Sequence, residues 1–168
     1  MRHPTQQVRP RGATRKVILT LVLVVAGLAA GVAPAAASNR MTATGDFAVQ
    51  GLSATPVRTA DGNTFFAETY HIVYTGDLTG TTDTTDTLLV YKDGSFKGTG
   101  VEACQACTLA GKTGGYTAVF SYKGAPTGQF EGHLTFIDAT GGLAGLHGHG
   151  TFGGNDIVNT YSYNYSLG

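Results

Sequence analysis

Four residues in one predicted strand carry the side chains best suited to hold a ligand. Phe66, Glu68, Tyr70 and Tyr74 lie two or four positions apart, so in a β-strand they point to one side. If that side faces the interior, burial raises the pKa of Glu68 and makes this carboxyl a possible general acid or base. If it faces solvent, Glu68 is a solvated surface acid and the inner side carries His71 instead. Alternation alone does not choose between the two faces.

Cys104 and Cys107 are the two cysteines of the chain. In an oxidising compartment, an isolated pair at this spacing favours one local disulfide. The same spacing occurs in thiol oxidoreductases, where a helix N-terminus lowers the pKa of the first thiol, and cysteines also bind metals. Because no helix or βαβ unit is predicted around the pair, we interpret it as a structural disulfide.

His147 and His149 are two apart in a glycine-alternating run, so both rings face the same side of a strand. That spacing suits a metal, and together with Cys104 and Cys107 they make a Cys2His2 set, which oxidation of the thiols would abolish. The alternative is local hydrogen bonding at the rim of a sheet. Because the histidine pair lacks a third ligand, we assign no metal and no cofactor.

No catalytic residue is assigned from motifs. The chain has no Gly-x-Ser-x-Gly elbow, no phosphate-binding loop and no dinucleotide fingerprint between a strand and a helix. Near the C-terminus, Tyr161, Tyr163 and Tyr165 share one side of the last predicted strand. We interpret them as cross-strand packing, with an aromatic platform for a sugar or phenolic ligand as the alternative.

The first 37 residues read as a secretory signal peptide. Basic residues at 2, 9, 11, 15 and 16 precede an apolar run over 17–33, and small residues at 34–37 place cleavage between Ala37 and Ser38. An uncleaved membrane anchor is the competing interpretation, because the run approaches the length of a membrane span. We expect cleavage, a secreted (extracellular) protein and no membrane association afterwards.

The mature chain, 38–168, has about 131 residues, which suits one domain. It keeps six basic residues against eleven acidic ones, a net charge of about −5. This charge argues against nucleic acid and against anionic membrane surfaces as partners. The sequence does not specify an oligomeric state.

Short β-like runs separated by Gly, Asp-Gly or Pro predict an all-β fold. Thr, Tyr and Phe favour strands, and Asp93-Gly94 favours a tight hairpin. Eight strands commonly close into a small barrel, so we expect a single antiparallel eight-stranded β-barrel without helices. The predicted strands are 41–49, 64–76, 79–91, 95–103, 116–123, 128–137, 146–152 and 160–167, with a long loop over 52–63.

Three segments carry a family resemblance: 42–47 (TATGDF), 91–96 (YKDGSF) and the run 140–152 (TGGLAGLHGHGTF), whose glycines allow a strand to bend at a barrel corner. In this order they resemble a bacterial domain family of unknown function. Its members look like the eight-stranded barrel of allene oxide cyclases, which is similar to that of dirigent proteins. The export signal and the segment 104–107 (CQAC) depart from that family.

The resemblance implies an apolar cavity and carries over no catalytic residue. We expect a secreted barrel that binds a small hydrophobic or aromatic molecule in its mouth through Phe66, Glu68, Tyr70 and Tyr74. The alternatives are a cyclase or isomerase acting on a small hydrophobic substrate and a non-catalytic cell-surface structural or interaction module. A desolvated Glu68 or His71 beside a void would favour the enzyme. A purely apolar cavity would favour the binding protein, and a completely filled interior would favour the interaction module.

Overall fold

The structure, a computed structural model, describes residues 39–155 and 157–168. Eight strands account for most of this part, and its helical content is one short 3-10 turn, Gly141–Leu143. The strands are β1 Met41–Ala60, β2 Asn63–Gly76, β3 Leu78–Val90, β4 Phe96–Leu109, β5 Lys112–Gly124, β6 Phe130–Ala139, β7 His147–Gly154 and β8 Asn159–Ser166.

All neighbouring strands pair antiparallel, and β8 pairs back to β1, so the sheet is a closed ring in sequence order. The prediction of an all-β chain with eight antiparallel strands is therefore confirmed. Closure removes sheet edges along the paired segments, which a single open sheet would expose. Residues 48–60 of β1 extend past β8 and pair with β2.

The predicted loop over 52–63 is wrong, because β1 continues to Ala60 and the turn is confined to Asp61 and Gly62. Gly51, with a φ of 65°, sits in a register shift between Gln50 and Ser53, and a second shift follows Pro56. Bulges of this kind accommodate glycine and proline inside a strand. These two residues therefore interrupt the pairing without ending the strand.

Sequential antiparallel pairing places alternate connections at opposite ends of the ring. The end that carries the β1–β2, β3–β4, β5–β6 and β7–β8 connections is called the open end, and the opposite one the closed end. At the closed end, Leu78, Leu109, Leu143 and Leu146 are buried. Leu143 comes from the 3-10 turn, whose backbone lies against Gly114. Apolar side chains thus fill this end.

Two glycines of β7 allow β8 to pack closely. A Cβ on Gly148 would lie 2.7 Å from the Cα of Tyr165, and one on Gly150 would lie 2.6 Å from the Cα of Tyr163. Contacts this short are not tolerated by real side chains, so only glycine fits. The glycine alternation of this run thus serves close strand approach as well as the curvature expected from the sequence.

The predicted signal peptide, residues 1–37, lies outside the described residues. Within the described part of the chain, no helix has the length and apolar character needed to cross a membrane.

Candidate ligand-binding cavity

A cavity of about 340 Å³ occupies the interior toward the open end. Leu88, Val90 and Phe96 line it beside the β3–β4 turn, and Gly128 lines it from the β5–β6 loop. Val49 and Leu52 also line it and are 44% and 56% exposed, so the cavity reaches solvent at this rim. Its volume is within the usual range for small-molecule sites.

The wall of the cavity is mainly apolar and aromatic because the inward positions of several strands carry rings. Phe47 stands edge-on to Phe152 with 6.1 Å between ring centroids, and Phe120 does so at the same distance. Edge-to-face contacts of this kind fix ring orientation. The aromatic residues that line the cavity are Phe47, Tyr70, Tyr74, Phe96, Phe120, Tyr122, Phe130 and Phe152.

Two carboxyls face each other on this wall. Glu68 of β2 and Asp86 of β3 are direct cross-strand partners, they are 8% and 7% exposed, and together they are called the acid pair. The hydroxyl of Tyr122 donates to Oδ2 of Asp86 at 2.7 Å, and that of Tyr70 donates to the same atom at 3.2 Å. Two tyrosine hydroxyls thus hold Asp86, while Glu68 lines the cavity.

The acid pair is built to share one proton. Burial raises the pKa of Glu68 to about 7, and the charge of Asp86 adds to this effect. Burial also raises the pKa of Asp86, while hydrogen bonds from Tyr122, Tyr70 and Glu68 oppose that rise. Oδ1 of Asp86 is buried and has no other hydrogen-bond partner among the described residues. A proton on Glu68 satisfies it, since like charges at this spacing do not both ionise readily.

A third carboxyl, Glu102 of β4, lies deeper and is 1% exposed. Tyr116 donates to its Oε1 at 2.9 Å, and Tyr74 donates to both of its oxygens at 3.1 and 3.0 Å. Tyr74 also hydrogen-bonds to Tyr163 at 3.2 Å. These four residues are called the glutamate–tyrosine cluster. Burial raises the pKa of Glu102 to about 7, although both tyrosine hydrogen bonds oppose the rise.

No lysine, arginine or histidine of the described residues lines the cavity. The ion pairs of this part of the chain lie on its outer surface, where His71 contacts Asp83 at 2.9 Å and Lys123 contacts Glu131 at 3.0 Å. The interior therefore contains acids but no basic side chain to balance them.

The structure decides which face of β2 is internal. Glu68, Tyr70 and Tyr74 point inward and line the cavity, whereas His71 is exposed on the outer face. Phe66 is half-buried and does not belong to the lining. Three of the four residues proposed from the sequence therefore share the cavity.

The cysteines form a disulfide between Cys104 and Cys107. It spans a register shift in the β4–β5 pairing, and both side chains are buried. Thiol exchange needs access to the sulfurs, so burial agrees with the structural interpretation.

His147 and His149 both project from the outer surface of β7. His147 is occupied locally: its Nδ1 is 2.8 Å from the carbonyl of Gly145, and its Nε2 is 2.7 Å from Oγ of Ser166. In residues 39–155 and 157–168, no three His, Cys, Asp or Glu side chains are grouped closely enough to hold a metal ion.

Tyr161, Tyr163 and Tyr165 are all buried. Tyr161 and Tyr163 stack with centroids 4.8 Å apart, and the hydroxyl of Tyr161 accepts from the backbone N–H of Leu78 at 2.8 Å. They pack the interior and do not form a surface platform.

Asp86, Glu102 and Tyr122 escaped the sequence analysis. Asp86 follows Thr82 and Thr84 in an inward series that continues with Leu88 and Val90, so alternation within the threonine-rich run was the available signal. Glu102 gave no comparable signal, because its neighbours in β4 do not alternate clearly in polarity.

Comparison with known proteins identifies a family and a fold. Residues 43–165 match the family model described as "Protein of unknown function (DUF3224)". No curated protein matches the chain.

Among solved structures, the chain is similar to a protein of unknown function from the DUF3224 family of Shewanella oneidensis MR-1, with a TM-score of 0.66 and 18% sequence identity. The match covers 77% of this chain and 98% of that one. At this identity the likeness concerns the fold alone.

Proposed function

Because the chain belongs to the DUF3224 family of proteins of unknown function, membership brings no activity with it, and we propose a function from the cavity. The protein is a secreted binder of a small apolar or aromatic molecule, which enters at the open end of an allene oxide cyclase-like barrel. The proposal of export rests on the predicted signal peptide, residues 1–37, and the proposal of binding rests on the cavity in the described residues.

One observation carries the proposal: a cavity of about 340 Å³ with an aromatic wall and very few polar groups. Sites of this composition bury most of a small ligand and orient it through a few polar contacts. Here the carboxyls that line the cavity are Glu68, which lies opposite Asp86 on the neighbouring strand, and the deeper Glu102, whose oxygens already accept tyrosine hydroxyls.

The experiment uses N-phenylnaphthylamine, a neutral aromatic dye whose fluorescence rises in apolar surroundings. We expect saturable binding by the mature protein with its disulfide intact. Val90→Trp fills the cavity from its lining and should abolish the signal. Val119→Trp places the same side chain on the outer face and should leave binding unchanged. Absence of binding, or equal binding by both variants, would overturn the proposal.

The second candidate is a cyclase or isomerase, and the criterion stated in the sequence analysis favours it, because Glu68 is desolvated beside a void and the cavity is not purely apolar. Glu68 lies beside a void with its pKa raised to about 7, so near neutral pH it can both give and take a proton. Such an enzyme must also bind its substrate in the cavity, so the first proposal is common to both.

The interaction-module alternative is disfavoured. It requires a filled interior and a functional surface patch, such as the three C-terminal tyrosines. The open end instead contains a cavity, and those tyrosines are buried.

A further inference from the structure

The charges inside the closed sheet are not balanced. Glu68, Asp86 and Glu102 are all at least nine-tenths buried, and within the described residues no basic side chain lines the cavity beside them. Uncompensated buried acids are costly for folding. Residues that break such a rule are expected at functional sites.

We propose that the ligand of this cavity is an organic cation, an amine or quaternary ammonium group carried on an apolar or aromatic body, with its positive charge beside Glu68. This inference rests on the proposed binding function and adds the charge of the ligand to it. Glu68 is 8% exposed, and no N–H, O–H or ammonium group of the described residues donates to it. Its carboxyl thus offers a vacant acceptor at the wall.

The residues behind Glu68 keep the negative charge in place. Tyr70 and Tyr122 both donate to Oδ2 of Asp86, which stabilises the Asp86 carboxylate. Oδ1 of Asp86 lacks a partner and depends on a proton held by Glu68. When a cation approaches, that proton can leave to solvent, since the cation then takes over the neutralisation of the pair.

The aromatic wall of the cavity, like its acids, favours a cation. The faces of aromatic rings attract organic cations, and this attraction grows when water is excluded. Phe47, Phe120, Phe130 and Phe152 surround the space beside the acid pair. An anionic ligand would meet the charges of Glu68 and Glu102 without any basic group to offset them.

A metal ion does not fit the same donors. No three acid, histidine or cysteine side chains of the described residues lie close enough together to coordinate one. Both oxygens of Glu102 already accept tyrosine hydroxyls. Most of the cavity wall, moreover, offers a hydrated ion no hydrogen-bond partner.

The test compares benzyltrimethylammonium with neopentylbenzene, its neutral carbon isostere. Both carry equivalent methyl protons whose NMR signal broadens on binding, so each is measured directly on the mature, disulfide-intact protein. At pH 8 we expect the cation to bind about tenfold more tightly or better. Glu68→Gln should reduce that preference to near parity. Glu131→Gln, the same change on the outer surface, should preserve it.

The pH dependence has a defined sign. The titratable groups that face Glu68 are Asp86 from β3, Tyr122 from β5 and Tyr70 on its own strand, and Glu102 from β4 lines the same cavity. The tyrosines stay neutral because burial raises each pKa. Affinity for the fixed cation should therefore rise by about tenfold between pH 5 and pH 8, as the carboxyls lose protons.

The outcomes separate the two proposals. Equal binding of cation and isostere would overturn the cation inference and leave the binding function standing. Binding of N-phenylnaphthylamine but of neither benzyltrimethylammonium nor neopentylbenzene would also overturn the cation inference and leave the binding function standing. Failure of all three compounds would overturn both. A preference for the cation that survives Glu68→Gln would contradict the role assigned to this carboxyl.

Discussion

Two glutamates are buried in this molecule with different results. Deeper in the interior, Glu102 accepts hydroxyls on both oxygens and is 1% exposed, although it also borders the cavity. Toward the open end, Glu68 meets another acid across the strand pair and faces a cavity. Burial raises the pKa of both to about 7. A raised pKa therefore does not identify the functional acid; the difference lies in whether its acceptor sites are already filled.

This difference assigns separate roles to the two ends. The glutamate–tyrosine cluster holds β2, β4, β5 and β8 together through hydrogen bonds within the protein. The acid pair leaves free the acceptor that the proposed ligand would use, and it lowers stability, since like charges directly opposite are unfavourable in a sheet. Substitutions at the closed end should therefore change stability, and those at the open end should change binding.

The largest expected contrast comes from truncating each glutamate. At pH 5, Glu102→Ala leaves a cavity and deprives the hydroxyls of Tyr74 and Tyr116 of their acceptor, so we expect a loss of about 4 kcal/mol in unfolding free energy. Glu68→Ala removes the proton that Oδ1 of Asp86 accepts, but water in the adjoining cavity can take its place, so we expect a loss of about 1 kcal/mol. Urea unfolding with the disulfide intact measures both. Equal losses would remove the distinction between the two ends.

Titration of Glu102 predicts a pH effect of known sign. Its folded pKa of about 7 exceeds the ordinary 4.5, so between these values the folded state binds more protons than the unfolded one. Stability from this group is therefore full below pH 4.5 and falls as pH rises through 7, by about 3 kcal/mol. Glu102→Gln should reduce the slope over this range, and the slope that remains is due to Glu68, whose pKa is raised to the same value. A stability that rises over the same range would refute the assignment.

Removal of the disulfide should weaken the closed end alone. The ring closed by Cys104 and Cys107 is small, and the loop-entropy model gives about 2 kcal/mol for its loss. We expect the double substitution to alanine to lower stability by that amount while affinity for N-phenylnaphthylamine stays unchanged. A loss of binding in folded protein would show that the two ends are coupled.

The smallest contrast compares two tyrosine hydroxyls. Tyr116 is 3% exposed and does not line the cavity, so Tyr116→Phe removes a donor to Glu102 that water does not readily replace and should cost about 2 kcal/mol. Tyr122→Phe removes a donor to Asp86 beside the cavity, where water can enter, and should cost about 1 kcal/mol. Thermal unfolding of both variants at pH 7 measures the difference. A larger loss of stability for Tyr122→Phe than for Tyr116→Phe would contradict the prediction.

The strand count followed from local signals in the sequence. Alternation in 64–76 and the Asp93-Gly94 turn are set by neighbouring residues, and both lie where expected. The continuation of β1 through Gly51 and Pro56 was missed because a bulge depends on pairing with β2. The acid pair was missed for a related reason. Asp86 becomes a candidate site residue only when the β2–β3 register is known, because the register places it opposite Glu68.

The choice of the inner face of β2 also required the closed sheet. Both faces of this strand carry apolar and polar residues, so hydrophobic patterning does not separate them. Glu68 lies inside because the inward positions of β3 and β5 supply Asp86, Tyr122 and an aromatic wall. Residues on other strands therefore determine which face of β2 is internal, and the pattern of β2 alone does not predict it.

The most direct test of this account is a ¹³C NMR titration of the glutamate side-chain carboxyls, with and without benzyltrimethylammonium. The sequence contains three glutamates, Glu68, Glu102 and Glu131, so Glu→Gln variants assign every signal. We predict that Glu68 and Glu102 both titrate near pH 7 and that the cation lowers the pKa of Glu68 while changing that of Glu102 much less. A Glu68 that titrates near 4.5, or one that does not respond to the cation, would contradict it.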